Sequence, residues 1–158
     1  MSEKMLPEKR FVVDSMLGKV AKWLRVLGFD AVCERLSQRS QVEAHIGEGR
    51  VVVTRNRRWR GEPGVVYPES NEPREQLRDV IREMRLGPGD AHFLDRCMLC
   101  NELLRPLSRG EAFGLVPDYI VATSTIFHRC PQCGRVYWKG THPARIKQRL
   151  RELLSWPL

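Results

Sequence analysis

FVVDSMLGKVAKWLRVLGFD, residues 11–30, changes its period partway along. The first four residues, FVVD, have the β-branched and aromatic composition of a strand and end in a carboxylate, Asp14. From Ser15 the pattern turns helical. Leu17, Val20, Ala21, Leu24 and Leu27 recur at three- and four-residue spacing, while Lys19, Lys22 and Arg25 fall between them. Ser15 is placed to cap this helix, and Gly28 stands where a C-terminal glycine ends one.

The same alternation continues outward. DAVCE (30–34) reads as a second strand, SQVEAHIGEG as a short helix beginning near Ser40, and RVVVT (50–54) as a strand buried on both faces. A β-α-β-α-β order predicts an α/β fold, a parallel sheet flanked by helices. RRWRGEPG (57–64) follows as a basic loop and GVVYP (64–68) as a fourth strand. A third helix is predicted in residues 71–87, with Asn71 as its cap, Pro73 in its first turn, and Leu77, Val80, Ile81 and Met84 on one face. GPGD (87–90) breaks the pattern. The expected organisation is an α/β domain at 1–90, a cysteine-bearing segment at 91–142, and a basic C-terminal helix at 143–158. The apolar Ile146, Leu150, Leu153 and Leu154 of that last helix are expected to dock on the body.

Charge and composition narrow the function. The 158 residues carry a formal net charge of +8, with a pI near 9.7. Residues 1–90 hold 17 basic against 14 acidic groups and the remaining 68 hold 10 against 5, so the C-terminal part is the more basic per residue. That balance points to a polyanionic partner, with a solvated basic surface as the alternative. No apolar run approaches the roughly 20 residues needed to span a bilayer, and MSEKMLPEKR lacks the apolar core of a signal peptide. A soluble cytoplasmic protein without a membrane partner is expected.

Five cysteines in such a chain favour metal ligation over disulfides. RCMLCN places Cys97 and Cys100 at CxxC spacing; RCPQCGRVYWKG repeats it with Cys130 and Cys133 after 29 intervening residues. Two such knuckles present four thiolates to one tetrahedral Zn²⁺, a closed and structural zinc ribbon; the competing readings are a redox CxxC or four unrelated thiols. Cys33 reads as a small core residue. Around the ribbon Arg96, Arg105, Arg109, Arg129, Arg135 and Lys139 are interleaved with Phe127, Tyr137 and Trp138. This mixture suits single-stranded nucleic acid, or else the aromatics form the ribbon's own small core.

In a parallel α/β sheet, ligands bind beyond the carboxyl ends of the strands. Asp14 ends the first strand and Thr54, Arg55 and Asn56 follow the third, which directs all four to one crevice. A carboxylate there can hold Mg²⁺ or Mn²⁺ for phosphodiester cleavage, or it can simply sit at a helix N-terminus. Arg55, Arg57, Arg58, Trp59 and Arg60 lie beside the crevice, suited to steering and stacking an RNA strand.

Taken together, FVVDSMLGKVAKWLRVLGFD, GRVVVTRN, RCMLCN and CPQCGRVYWKGTH resemble, in order and spacing, the PIN-like ribonuclease domains that carry a C-terminal zinc ribbon. This is the family named for the C-terminal domain of the Mut-seven exonuclease, and the resemblance covers nearly all of residues 10–145. It implies metal-dependent RNA cleavage by acidic residues grouped at the strand ends. Asp14 matches the first of them, but the motif usually written Thr-Arg-Asp is Thr54-Arg55-Asn56 here. A further acidic position falls at Ser40, with Glu43 one turn later as a substitute. The resemblance therefore implies a catalytic set of Asp14, Glu43, Asn56 and Thr54, and the basic and aromatic residues beside the crevice and on the ribbon give an expected nucleic-acid surface of Arg55, Arg57, Arg58, Trp59, Arg60, Arg135 and Lys139. Asparagine removes a charge from the site, so a slow nuclease and a non-catalytic RNA binder both remain open, as does docking of the ribbon to a protein assembly.

Overall fold

A computed structural model describes residues 9–157. Four parallel strands form one sheet: β1 (Arg10–Asp14), β2 (Asp30–Glu34), β3 (Arg50–Val53) and β4 (Val65–Val66), in the order β2-β1-β3-β4. The register pairs Val12 with Val32 on one side and Val52 on the other. β1 is thus flanked on both edges, and Phe11, Val12 and Val13 are 0% exposed. The fourth strand is shorter than the sequence pattern predicts, because only two residues pair with β3 before Pro68 intervenes.

Alternation along the strands splits the core in two. Phe11, Val13, Val53 and Val66 face α1 (Gly18–Val26) and α3 (Pro73–Glu83), whereas Val12, Val52 and Val65 pack with Val42 of α2 (Arg39–Gly47). Each fully buried Val or Leu contributes roughly 1.5–3 kcal/mol. The helix starts differ in detail from the sequence pattern. Ser15 opens a 3₁₀ turn, Ser15–Leu17, and makes no side-chain cap. α2 begins at Arg39, where Gln38 and Gln41 form a reciprocal capping pair that leaves Ser40 inside the helix. Glu72, not Asn71, immediately precedes α3, and Pro73 supplies its fixed φ at the first position.

Residues 105–137 form a second, antiparallel sheet of β5 (Arg105–Leu107), β6 (Phe127–Arg129) and β7 (Val136–Tyr137). Between β5 and β6 run the short helices α4 (Arg109–Ala112) and α5 (Asp118–Thr123), closed over Ala112, Val116 and Phe127. The chain then returns to the larger core. α6 (His142–Leu154) buries Ile146 and Leu150 in the same cluster as α1 and α3, as its apolar spacing predicts, and Trp156 follows them. Among the described residues no helix is long and apolar enough to cross a membrane.

Two contacts fasten the cysteine-bearing segment to the first sheet. The Asn101 amide donates to Asp30 Oδ1 (2.8 Å) and accepts from the Ala31 amide (3.0 Å), occupying a donor on the open edge of β2. The Arg25 guanidinium reaches from α1 to the Met98 and Leu99 carbonyls, at 3.0 and 3.3 Å. Gly28 is the hinge of the approach. Its φ is +94°, and a Cβ there would stand 2.2 Å from the His92 carbonyl oxygen, while the His92 amide donates to Leu27 at 2.8 Å. Gly28→Ala therefore combines left-handed strain with a backbone clash, and should lower stability by about 2 kcal/mol or more in a thermal melt. An unchanged melting temperature would show that the 91–94 loop can move away.

Candidate functional site

Asp14 and Thr54 lie at adjacent strand ends on the α2 face of the sheet, in line with Val12 and Val52 beneath them. Asp14 is 1% and Thr54 0% exposed. The Thr54 hydroxyl donates to Asp14 Oδ2 at 2.8 Å, and the Leu36 amide donates to Oδ1 at 3.3 Å. Thr54 Oγ1 in turn accepts from the Asn56 amide at 3.1 Å. The carboxylate is thus held by neutral donors, one to each oxygen.

The other positions of the expected set do not join it. Asn56 Oδ1 accepts from the Arg58 amide at 3.1 Å, capping the 3₁₀ turn Arg57–Trp59, so its carbonyl is engaged away from Asp14. Glu43 follows the inward-facing Val42 on α2 and is exposed, and Ser40 bonds Gln38 on the surface. Sequence reasoning missed Glu34. In the β1–β2 register Glu34 is the direct partner of Asp14, and it pairs with His45 of α2. The signal was present in CERL, where the second strand also ends on a carboxylate, but the register that sets it beside Asp14 is not written in the sequence. Among the described residues, the one group of three or more cysteine, histidine or carboxylate ligands that converges is the four cysteines. Mg²⁺ or Mn²⁺ is held by carboxylate oxygens and waters, and here both Asp14 oxygens are already bonded while Glu34 beside it is paired with His45. The residues present do not fit a complete catalytic metal site.

Cys97, Cys100, Cys130 and Cys133 place their ligand atoms all within 4.8 Å of one another. Cys97 Sγ and Cys133 Sγ are 3.8 Å apart, the edge of a tetrahedron with ~2.3 Å Zn–S bonds. The cluster fits a zinc site with no open position. The Tyr137 hydroxyl lies 3.0 Å from Cys97 Sγ. Burial pushes the Cys97 thiol up, but that hydrogen bond and the knuckle's amides outweigh it and bring the thiol down to about 7. Desolvation, then a hydrogen bond with Cys133, pushes Cys100 up to about 12. Cys33 is half-buried against the larger core, as a small core residue should be.

The basic residues divide by what already holds them. Arg57 and Arg58 are exposed, and among the described residues neither faces an acidic partner; Arg60 pairs with Glu69 (2.6 Å) and lies over Tyr67, and Arg55 donates to the Pro68 carbonyl (3.2 Å). Trp59 corrects an expectation. It is 1% exposed, packed with Val12, Leu36, Val42 and Val65, and its ring is closed to an RNA base because the 3₁₀ turn capped by Asn56 points it inward. On the ribbon Arg135 and Lys139 are exposed, whereas Phe127 and Tyr137 are core. Arg105 and Arg129 are direct partners across the β5–β6 ladder, a like-charge pairing that an anion would relieve.

The chain thus joins a parallel α/β domain with a buried strand-end aspartate to a four-cysteine cluster that fits zinc. The Mut7-C RNAse domain model matches residues 9–150, and the chain belongs to that family. No curated protein and no solved structure matches it.

Two outcomes check this geometry. Trp59→Ala should cost roughly 3–5 kcal/mol of stability as a core truncation, measured by denaturant unfolding; a stable variant with weakened RNA binding would return Trp59 to the surface. Elemental analysis of purified protein should give one zinc per chain, abolished in Cys97→Ser; zinc retained in that variant would remove Cys97 from the ligand set.

Proposed function

We propose that the protein binds RNA on a ribonuclease scaffold whose divalent-cation site is attenuated, so that binding outlasts cleavage. The observation that carries this reading is the Asn56 side chain, which caps a turn where a metal site needs a carboxylate. With Glu43 exposed on α2, Asp14 stands without the negative charge that would hold Mg²⁺ or Mn²⁺ tightly. Arg57 and Arg58 beside the crevice and Arg135 and Lys139 on the ribbon supply phosphate contacts, and Arg55 orients the strand near Asp14. The zinc is structural, holding the 91–142 segment between the 1–90 domain and the 143–158 helix, and the free cysteines suit a cytoplasmic setting.

A faster nuclease is the second reading, and one observation favours it. Asp14 is buried, and among the described residues it has no ion pair, a costly state that a bound cation would relieve. Glu34 in register beside it could contribute a second carboxylate.

Cleavage of labelled single-stranded RNA with Mn²⁺ separates the two. Wild type should bind RNA and cleave it slowly, and Asn56→Asp, which can keep the turn cap, should raise the cleavage rate at least tenfold, about 1.4 kcal/mol of barrier. Equal rates in wild type and Asn56→Asp, both lost in Asp14→Ala, would establish a full nuclease. Absence of RNA binding would overturn the proposal.

A further inference from the structure

On the opposite face of the sheet from Asp14, α1, α3 and α6 enclose a cavity of about 500 Å³. Its apolar wall is Trp23, Leu150 and Leu153, with Trp23 half-buried against the core and open to the cavity. Its rim carries Arg74, Arg78 and Arg149 against a single acid, Glu152. The arginines are not equivalent. Arg78 is already committed, donating to the Leu153 carbonyl at 3.1 and 3.3 Å and to Glu75 at 2.9 Å, which fixes the end of α6 and one side of the cavity. Arg74 and Arg149 are exposed and, among the described residues, form no ion pair. Glu152 accepts from Gln148 at 3.3 Å. Arg74 lies in the first turn of α3, and helices that follow parallel strands begin at the edge where those strands end. The cavity therefore has one corner on the edge that carries Asp14.

We propose that this cavity binds an unpaired nucleotide of the RNA, its base against Trp23 and its phosphates on Arg74 and Arg149. A half-buried indole that lines the same cavity as two guanidinium groups without ion pairs matches a ligand that joins an aromatic ring to adjacent negative charge. A purely apolar peptide leaves both arginines without partners, and an acidic peptide leaves the ring unused. The proposal rests on the RNA-binding reading above and extends it, placing a strand that passes the strand-end crevice around the α3 corner to the far face. The ribonuclease fold alone does not require this second contact.

The test uses the zinc-loaded full chain and a short single-stranded RNA carrying 5-iodouridine. Arg74→Ala with Arg149→Ala should weaken binding and flatten the salt dependence of log K by about 1.4, at ~0.7 per phosphate contact on a single strand. Trp23→Leu should weaken binding about tenfold with the slope unchanged, because stacking releases no counterions. Photocrosslinking should recover RNA on the peptide that contains Trp23; this arm uses wild-type protein and so does not depend on a variant folding. The proposal is overturned if both slope and affinity survive the arginine pair while Arg57→Ala with Arg58→Ala weakens binding, an outcome that leaves the RNA-binding reading standing. It is overturned together with that reading if wild type binds no RNA. A dimer in sedimentation that the arginine pair dissolves, with RNA affinity unchanged, would assign the cavity to a second copy.

Discussion

A parallel sheet must be covered on both faces, and in this chain that requirement governs everything outside the sheet. One face is met locally by α2 and by Trp59. The other takes α1, α3 and a third helix, α6, which the chain supplies only after building the four-cysteine ribbon. Both ends of the ribbon are consequently anchored in one hydrophobic core: Met98 sits in it on the way out, and Ile146, Leu150 and Trp156 on the way back. The Arg25 and Asn101 hydrogen bonds fix the first knuckle against the edge of β2, so the position of the thiolates and the position of the sheet are set together.

The same covering decides what the strand ends can do. Strand alternation turns Asp14 and Thr54 toward α2, under Leu36, where the carboxylate is dry and bonded. Asn56 immediately precedes the 3₁₀ turn that follows β3, and its side chain stabilises that turn. An aspartate can cap equally well, so the turn tolerates either residue and the difference falls on the charge available to a cation. The family scaffold is thus retained with asparagine at the position that caps the turn.

Much of this was legible in the sequence because the signals are local. Period-two and period-3.6 patterns give the sheet and its helices; CxxC spacing gives the metal site; the apolar spacing of Ile146 and Leu150 gives the docking of α6. What was not legible depends on contacts between distant residues. Trp59 sits among four basic residues and reads as exposed, and only the inward turn of its 3₁₀ segment buries it. Glu34 becomes Asp14's neighbour only through the β1–β2 register, and Asn101 finds Asp30 across 71 positions of sequence. Arg149 joins Arg74 and Trp23 around one cavity only once α6 has packed.

Asn56 leaves one charge fewer at the strand ends than an aspartate would, and Mn²⁺ binding measures that charge without requiring catalysis. Titration of zinc-loaded protein with Mn²⁺, followed by electron paramagnetic resonance, should show no saturable site in wild type at concentrations where Asn56→Asp saturates. A saturable wild-type site of the same affinity, lost in Asp14→Ala, would contradict the account and restore a complete metal centre.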